Sequence, residues 1–363
     1  MRSPSSRQSV AAPPARGLVA AAGTRAANVS AASQRGPCAR AVLRRRYALH
    51  LMSFLGLDVG GSNCRYEWWP DGCAPGGASL TSHAAVQGCA DVVDALAGAV
   101  ESAASAYGAP EAVVCCVAGL GEPTRAAEVA TALRPRVKAP VAVVGDVMAA
   151  AAAGLREGPG LVLWSGTGSF AVARSASGEL VRIGGRGYAF GDEGSGYDLV
   201  RRAIVGVLRA VDGRGRETVL AETLSRAFGA PSPSRLGAVA QRCSPGDVAS
   251  RLPVVLEAFE ADDWLAADVL MLGMRQLVEQ GEAAIRRAAL EAGGGLRVAL
   301  GGGVLSVPAL CGGLLRLLEG ALGAAVNVRS LDARDAARGA AWLASGWHRG
   351  ESPQRAWVED VAL

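Results

Sequence analysis

Histidine and paired cysteines are scarce in this chain. Three histidines occur in 363 residues, and the eight cysteines include no Cys-x-x-Cys pair. A structural zinc site takes four such ligands at short spacings, so this composition argues against one. Scattered cysteines also favour a reducing compartment, and we expect a cytoplasmic protein. No apolar run approaches the ~20 residues that span a bilayer, so we expect no membrane partner.

Acidic residues are missing from residues 1–51, which contain nine arginines and no lysine, aspartate or glutamate. The rest of the chain carries 28 basic against 33 acidic residues, a net charge of −5 in place of the overall +4. This mildly acidic part lacks the basic footprint of a nucleic-acid-binding protein. Residues 1–51 have no apolar periodicity, so we expect them to be disordered. An over-extended gene start ahead of Met52 or a transit peptide would explain them.

Glycine, in contrast, is abundant, with 48 residues, and three glycine-rich turns each follow an apolar, strand-like run. The turns are DVGGSN at 58–63, SGTGS at 165–169 and LGGG at 300–303. Glycine lets backbone N–H groups approach an anion closely, so such turns can bind phosphate oxygens. The candidate phosphate-binding residues are Gly60, Gly61, Ser62, Gly166, Thr167 and Gly168. In isolation, an Asx turn would explain the first turn and an ordinary two-residue hairpin the second.

The third turn, made of Gly301, Gly302 and Gly303, would let a flat ring or its ribose approach the backbone. It lacks the Lys-Ser/Thr pair of a Walker sequence, which excludes a P-loop. The three turns together predict a nucleotide held in a cleft between two domains.

Four carboxylates accompany these turns. Asp58 ends a predicted buried strand and can hold a hydrated Mg²⁺ beside phosphates. Asp146 follows the run VAVVG and precedes a helix, which makes it a candidate general base at a sheet edge, or a helix N-cap. Asp192 and Glu193 stand in a stretch with six glycines in 13 residues, where they can accept hydrogen bonds from sugar hydroxyls. A solvated loop with a helix cap is the alternative for this pair.

Strand-like and helical patterns alternate along the chain, which predicts an α/β fold with mostly parallel sheets. Strands are expected at 54–59 and 64–69, and helices at 123–133, 148–155 and 332–344. A new run of strands begins after Gly158-Pro159-Gly160, so the pattern of the first half starts again there. We predict one domain from 52–157 plus 330–348, a second from 158–329, and a tail from 349–363.

These motifs resemble the actin-like ATPases, and within them the BadF/BadG-type branch that includes N-acetylglucosamine and glucosamine kinases. The resemblance covers about residues 54–344 in register. DVGGSN resembles the first phosphate motif of the branch, SGTGS matches its second, and VALGGGV resembles its adenosine motif. GGRGYAFGDEGSGY is similar to its G-G-W-G-x-x-x-G-D-E-G-S-x-Y signature, which is highly specific.

The resemblance implies a two-domain actin-like ATPase (ribonuclease H-like) fold with a central cleft, and ATP and Mg²⁺ as partners of a small-molecule sugar. It implies Asp146 as catalytic base and Asp58 as the metal-side carboxylate. It also implies that the sugar is contacted by His83, Ser165, Asp192 and Glu193, and that the protein forms a homodimer. The implied reaction transfers the γ-phosphoryl group of ATP to a hydroxyl of an amino sugar, N-acetylglucosamine or glucosamine first.

Four residues depart from the branch pattern. Gly145 precedes the base, Ser62 replaces Thr, Arg186 replaces the signature Trp, and His83 stands where an Asn is common. These departures bear on the identity of the sugar more than on the reaction. Two other functions stay open: an ATPase that activates 2-hydroxyacyl-CoA dehydratases through an iron–sulfur cluster, and a sugar-sensing regulator on the same fold.

Overall fold

The computed structural model describes residues 52–60, 64–70, 76–78, 89–120, 122–291 and 295–351. Predictions on residues 1–51 and most of the tail lie outside the described residues, as do those on Gly61, Ser62 and His83. Within these ranges, no helix has the length and apolar character needed to cross a membrane.

The first sheet has five strands in the order β3-β2-β1-β4-β5. They are β1 (Phe54–Val59), β2 (Cys64–Trp69), β3 (Gly76–Ala78), β4 (Ala112–Val117) and β5 (Val141–Gly145). β2 pairs antiparallel with β1 and β3, whereas β4 and β5 run parallel to β1. Helices α1 (Cys89–Tyr107) and α2 (Pro123–Leu133) connect β3 to β4 and β4 to β5. β1 and β4 are buried at every position, as expected for central strands with near-continuous apolar sequences.

The second sheet also has five strands, in the order β10-β9-β6-β7-β8. They are β6 (Gly160–Ser165), β7 (Ser169–Arg174), β8 (Leu180–Gly184), β9 (Arg297–Gly301) and β10 (Asn327–Ser330). β7 pairs antiparallel with β6 and β8, whereas β9 and β10 run parallel to β6. The second sheet therefore repeats the pairing scheme of the first, strand for strand.

Six helices of the described chain connect β8 to β9, and α10 (Pro308–Leu322) connects β9 to β10. The six are α4 (Gly196–Val211), α5 (Leu220–Phe228), α6 (Leu236–Ala240), α7 (Pro245–Ala249), α8 (Leu252–Glu260) and α9 (Trp264–Arg287). They and one face of the second sheet form the largest apolar cluster. A separate cluster joins α1 and α2 to the outer face of the first sheet.

Two helices of small residues lie between the sheets, α3 (Val147–Leu155) and α11 (Asp335–His348). α11 packs across β1, β2 and β4, whereas α3 packs against β6, β7 and β9 and against α11. Each helix thus follows one sheet in the chain and covers the other. A Cβ on Gly56 of β1 would collide with the backbone of Ala340 and Ala341, so the close approach of α11 requires glycine there.

The α/β prediction is confirmed. The strands predicted at 54–59 and 64–69 and the helix predicted at 123–133 have those bounds. The final helix, predicted over 332–344, begins instead at Asp335, because Asp332 first accepts the backbone N–H groups of Arg334 and Asp335 in a turn. The described residues belong to one compact unit, and the domain boundaries stay a prediction.

Candidate active site

Asp58 lies near the end of β1 with 8% of its surface exposed. Burial raises the pKa of its carboxyl to about 7; the negative charge of Asp146 adds to this, and the Arg65 guanidinium opposes it. Arg65 is the direct cross-strand partner of Asp58 on β2. Because burial destabilises the ionised form of this carboxyl, a nearby cation would stabilise its charge strongly.

Asp146 follows β5 directly and is the N-cap of α3, where it accepts the Val147 N–H at 3.0 Å. The structure therefore combines the two positions predicted for Asp146: it follows a parallel strand at the edge of the sheet, and it caps a helix. Burial raises the pKa of the Asp146 carboxyl to about 6, although the Val147 N–H and the Arg182 guanidinium lower it. Such a group is ionised at neutral pH and still basic enough to accept a proton.

Asp192 belongs to the glycine-rich loop 185–195, between β8 and α4, and has an unusual left-handed backbone with φ of +57°. Burial raises the pKa of its carboxyl to about 6, opposed by the Gly187 and Ser169 N–H groups that donate to it. A Cβ on Gly168 would lie 2.8 Å from Asp192 Oδ2, so the carboxylate packs directly on the second glycine turn.

One carboxylate connects the other two. The charge of Asp146 raises the pKa of Asp58 on the first sheet and of Asp192 beside the second. The fold thus brings together two buried carboxylates and one partly buried carboxylate. Asp58 and Asp146 are 88 residues apart in the sequence, and Asp146 and Asp192 are 46 residues apart. No group of three or more His, Cys, Asp or Glu side chains in the described chain forms a metal cage. A divalent cation here would need ligand oxygens from a substrate, as Mg²⁺ commonly does.

The second glycine turn connects β6 to β7 through three residues, Gly166, Thr167 and Gly168, with Ser165 paired to Ser169. This differs from the ordinary two-residue hairpin. The Gly166 N–H donates to Gly168 O at 2.8 Å. Neither Thr167 nor Gly168 donates its N–H to a carbonyl of the described residues. These two N–H groups and the Thr167 hydroxyl suit an anion.

Of the candidate phosphate-binding residues in the first glycine turn, only Gly60 is described; it directly follows β1 and is partly exposed. In the third, Gly301 is the last residue of β9, and Gly302 has φ of +93°. A Cβ on Gly302 would collide with Ser165 O, so the second and third turns touch through backbone. The Val304 N–H also donates to Ser165 O at 2.9 Å. Gly303 has open space around its Cβ position.

Hydrogen bonds tie the loop that carries Asp192 to the second turn. Ser165 Oγ donates to Gly194 O at 2.8 Å, and Ser169 Oγ donates to Glu193 O at 2.7 Å. The Gly196 N–H donates to Gly166 O at 2.8 Å. Ser165 is fully buried and its hydroxyl holds this loop; its contact with a sugar stays a prediction.

Glu193 separates from Asp192. Its Oε2 accepts a hydrogen bond from Gln280 Nε2 of α9 at 3.1 Å, whereas the Asp192 carboxylate packs on Gly168. The negative charge of Glu193 still raises the pKa of Asp192. The two neighbouring carboxylates therefore face different surroundings.

Sequence reasoning missed Arg65, Arg182 and Gln280. Arg182 lies in β8 opposite Val172, within the otherwise apolar run LVRI. Gln280 is buried on α9 between Val278 and Ala284. For Arg182, a charged residue in an apolar run was the available signal, but periodicity alone does not say what the side chain faces.

Two sheets of one strand order, with paired helices between them and glycine turns at their strand ends, define the actin-like ATPase fold. Residues 55–344 match the model of the BadF/BadG/BcrA/BcrD ATPase family. The chain belongs to this family.

Named proteins resemble this chain over part of its sequence or in its fold. The N-acetylmuramic acid/N-acetylglucosamine kinase of Clostridium acetobutylicum is 42% identical over 80 residues, or 22% of this chain and 26% of the relative. The chain thus matches about a quarter of that protein's length. A protein of Chromobacterium violaceum, provisionally described as an N-acetylglucosamine kinase, has a similar structure, with a TM-score of 0.62 and 26% identity over 80% of this chain and 98% of that one. A counterpart from Porphyromonas gingivalis has a TM-score of 0.60 at 20% identity over 82% and 99% of the two chains, and its likeness concerns the fold.

Proposed function

We propose that this protein is an ATP-dependent sugar kinase whose acceptor is an amino sugar, N-acetylglucosamine or glucosamine first. The observation that carries the proposal is the position of Asp146, a partly buried carboxylate at the end of β5 whose negative charge acts on both Asp58 and Asp192. A base between a metal-side carboxylate and a hydroxyl-binding carboxylate is the arrangement that phosphoryl transfer to an alcohol needs. The names of the relatives support the same acceptor class.

ATP would enter as substrate with its phosphates against the Thr167 and Gly168 N–H groups and its adenosine near Gly302 and Gly303. The residues fit this role because two N–H groups of the second turn lack carbonyl partners in the described chain. Mg²⁺ would be held by Asp58 together with water and phosphate oxygens, and would neutralise charge on the phosphates. The raised pKa of Asp58 fits a carboxyl whose charge is compensated on binding a cation.

The acceptor would lie against Asp192, whose carboxylate accepts hydrogen bonds from sugar hydroxyls. Asp146 then takes the proton of the reacting hydroxyl while the oxygen of that hydroxyl forms a bond to the γ-phosphorus. The bond from that phosphorus to the β–γ bridging oxygen breaks, and ADP leaves with the electron pair. The products are a sugar phosphate, ADP and a proton, which Asp146 returns to solvent.

An ATP-coupled assay across glucosamine, N-acetylglucosamine, N-acetylmuramic acid, glucose and mannose tests the proposal. We expect turnover of an amino sugar to exceed turnover of glucose and mannose. Equal, negligible turnover of all five sugars would overturn the kinase function.

No observation favours the iron–sulfur activator. Cys115 and Cys116 lie inside β4 and are fully buried. Burial raises the pKa of both thiols, which opposes the thiolate form that a cluster requires. A cytoplasmic location and a homodimer stay predictions.

A further inference from the structure

A cavity of about 380 Å³ opens between the loop that carries Asp192 and helix α9. Its polar lining comes from Arg186 and Glu193 of the loop and from Gln276, Glu279 and Gln280 of the helix. Phe190, which is 92% exposed, lies at its rim. The cavity and the proposed acceptor site share one loop, because Glu193 lines the cavity and is the chain neighbour of Asp192.

Gln280 has a hydrogen-bonding group that nothing in the described chain satisfies. The residue is 8% exposed, and its Oε1 is buried without a hydrogen-bond partner. Its amide orientation is fixed by Glu193, since the Nε2 that donates to this carboxylate at 3.1 Å leaves Oε1 on the other side. Oε1 lies beside Gly184, where a Cβ would approach it to 2.6 Å. A buried amide oxygen left unpaired is unfavourable, so a ligand donor there is favoured.

The charge of the lining has one sign in excess. Two carboxylates, Glu193 and Glu279, face one guanidinium, that of Arg186. The Gln276 Oε1 is already occupied, because it accepts Arg202 Nη2 at 2.9 Å. The remaining requirement of the cavity is therefore for hydrogen-bond donors that carry positive charge.

We infer that this cavity binds a primary ammonium group, so that the acceptor is an amino sugar with a free amine rather than an N-acylated one. An ammonium brings three N–H donors and one positive charge to Gln280 Oε1, Glu193 and Glu279. An N-acyl group would bring only one N–H donor, and its carbonyl oxygen would face these same acceptor groups, which cannot donate a hydrogen bond to it. The inference rests on the proposed kinase function and chooses between its two leading substrates.

The test compares kcat/KM for glucosamine and N-acetylglucosamine in the wild type and in three variants. Glu279→Gln removes one charge from an exposed position, and Gln280→Met removes the unpaired oxygen at similar length. Glu282→Gln is the matched control, because it lies on α9 outside the cavity lining. Thermal unfolding of each variant verifies that it is folded.

We expect the wild type to prefer glucosamine. Loss of a charge-assisted hydrogen bond should lower that preference about tenfold in Glu279→Gln and in Gln280→Met, through KM rather than kcat. Glu282→Gln should keep it. A wild-type preference for N-acetylglucosamine, or an unchanged ratio in both cavity variants, would overturn the inference while leaving the kinase function intact.

Calorimetric titration with glucosamine alone separates the two proposals. If the wild type phosphorylates no sugar, the kinase function is wrong. In that case, an ammonium site is still supported if the wild type binds glucosamine and if Glu279→Gln and Gln280→Met weaken that binding. If the wild type does not bind glucosamine, the ammonium site is wrong.

Discussion

The two sheets share one strand order, but equivalent positions carry different chemistry. The fifth residue of β1 is Asp58, and the fifth residue of β6 is Trp164. Asp58 is a buried carboxylate that feels the charge of Asp146. Trp164 stacks on Phe170 with ring centroids 6.2 Å apart and packs against Gly301. One half of the repeat thus supplies a charge where the other supplies apolar packing.

The strands β5 and β10 give a second pair. Asp146 follows β5 directly, is partly buried and caps α3. Asp332 follows β10 after one residue, is exposed and accepts backbone N–H groups ahead of α11. A repeated framework can therefore separate its tasks: the first sheet concentrates carboxylates, and the second supplies glycine backbone and the Asp192 loop.

The largest effect is expected from removing the charge of Asp146, whose counterpart in the second half, Asp332, is exposed. Asp146→Asn keeps the shape but takes away the proposed base, so kcat should fall about 10² to 10⁴-fold. Steady-state kinetics and calorimetric binding of ATP measure it, and binding should persist. Asp332→Asn is the control from the equivalent position and should retain kcat. Intact turnover in Asp146→Asn would remove Asp146 from the chemistry.

The pH profile examines the same carboxylate without a mutation. Since the pKa of Asp146 is about 6, the carboxylate that accepts a proton is lost as the pH falls below that value. We expect kcat to fall about tenfold per pH unit below pH 6 and to level off above pH 7. Rates from pH 5 to 8 at saturating substrate provide the measurement. A flat profile over this range would contradict a base of this pKa.

Asp58→Asn should stabilise the protein at the expense of function. The folded pKa of about 7 lies above the ordinary value of 3.8, so the native state binds the proton more tightly than the unfolded chain. This carboxyl therefore makes wild-type stability fall as the pH rises from about 4 to 7. Asparagine removes that dependence.

Thermal unfolding without Mg²⁺ or nucleotide checks this expectation. Asp58→Asn should raise Tm relative to the wild type at pH 8, and the gain should vanish near pH 4. A lower Tm at pH 8 would mean that the Asp58 charge is already compensated within the chain.

In the second half of the molecule, the feature to test is the backbone contact between the second and third glycine turns. Gly302→Ala places a Cβ against Ser165 O at a φ of +93°, and such strain costs about 1–3 kcal/mol. Gly303→Ala meets open space and should leave the free energy of unfolding nearly unchanged. Urea denaturation of both variants measures the difference. Equal stabilities would show that the second and third turns are not held in contact.

Sequence patterns predicted the α/β class and the bounds of β1, β2 and α2, because local periodicity and turn residues determine these elements. They also selected Asp58, Asp146 and Asp192, since each follows a strand or lies among glycines. Local patterns do not encode which helix covers which sheet. The family resemblance placed residues 330–348 with the first domain, whereas the packing of α3 against the second sheet was not foreseen. For the same reason, the separation of Glu193 from Asp192 through Gln280 needed the structure.

The smallest effects are expected at the contact between α3 and α11. A Cβ on Gly339 of α11 would collide with Ala149 O and lie 2.8 Å from Ala153 N, both in α3. Gly339→Ala should therefore destabilise the protein by about 1–3 kcal/mol, since backbone on both sides leaves little room to adjust. Gly320 of α10 is exposed with open space at its Cβ position, and Gly320→Ala should stabilise by about 0.5–1 kcal/mol. Urea midpoints that move in opposite directions would support a tight α3–α11 contact, whereas stabilisation by both variants would mean that the two halves can separate there at little cost.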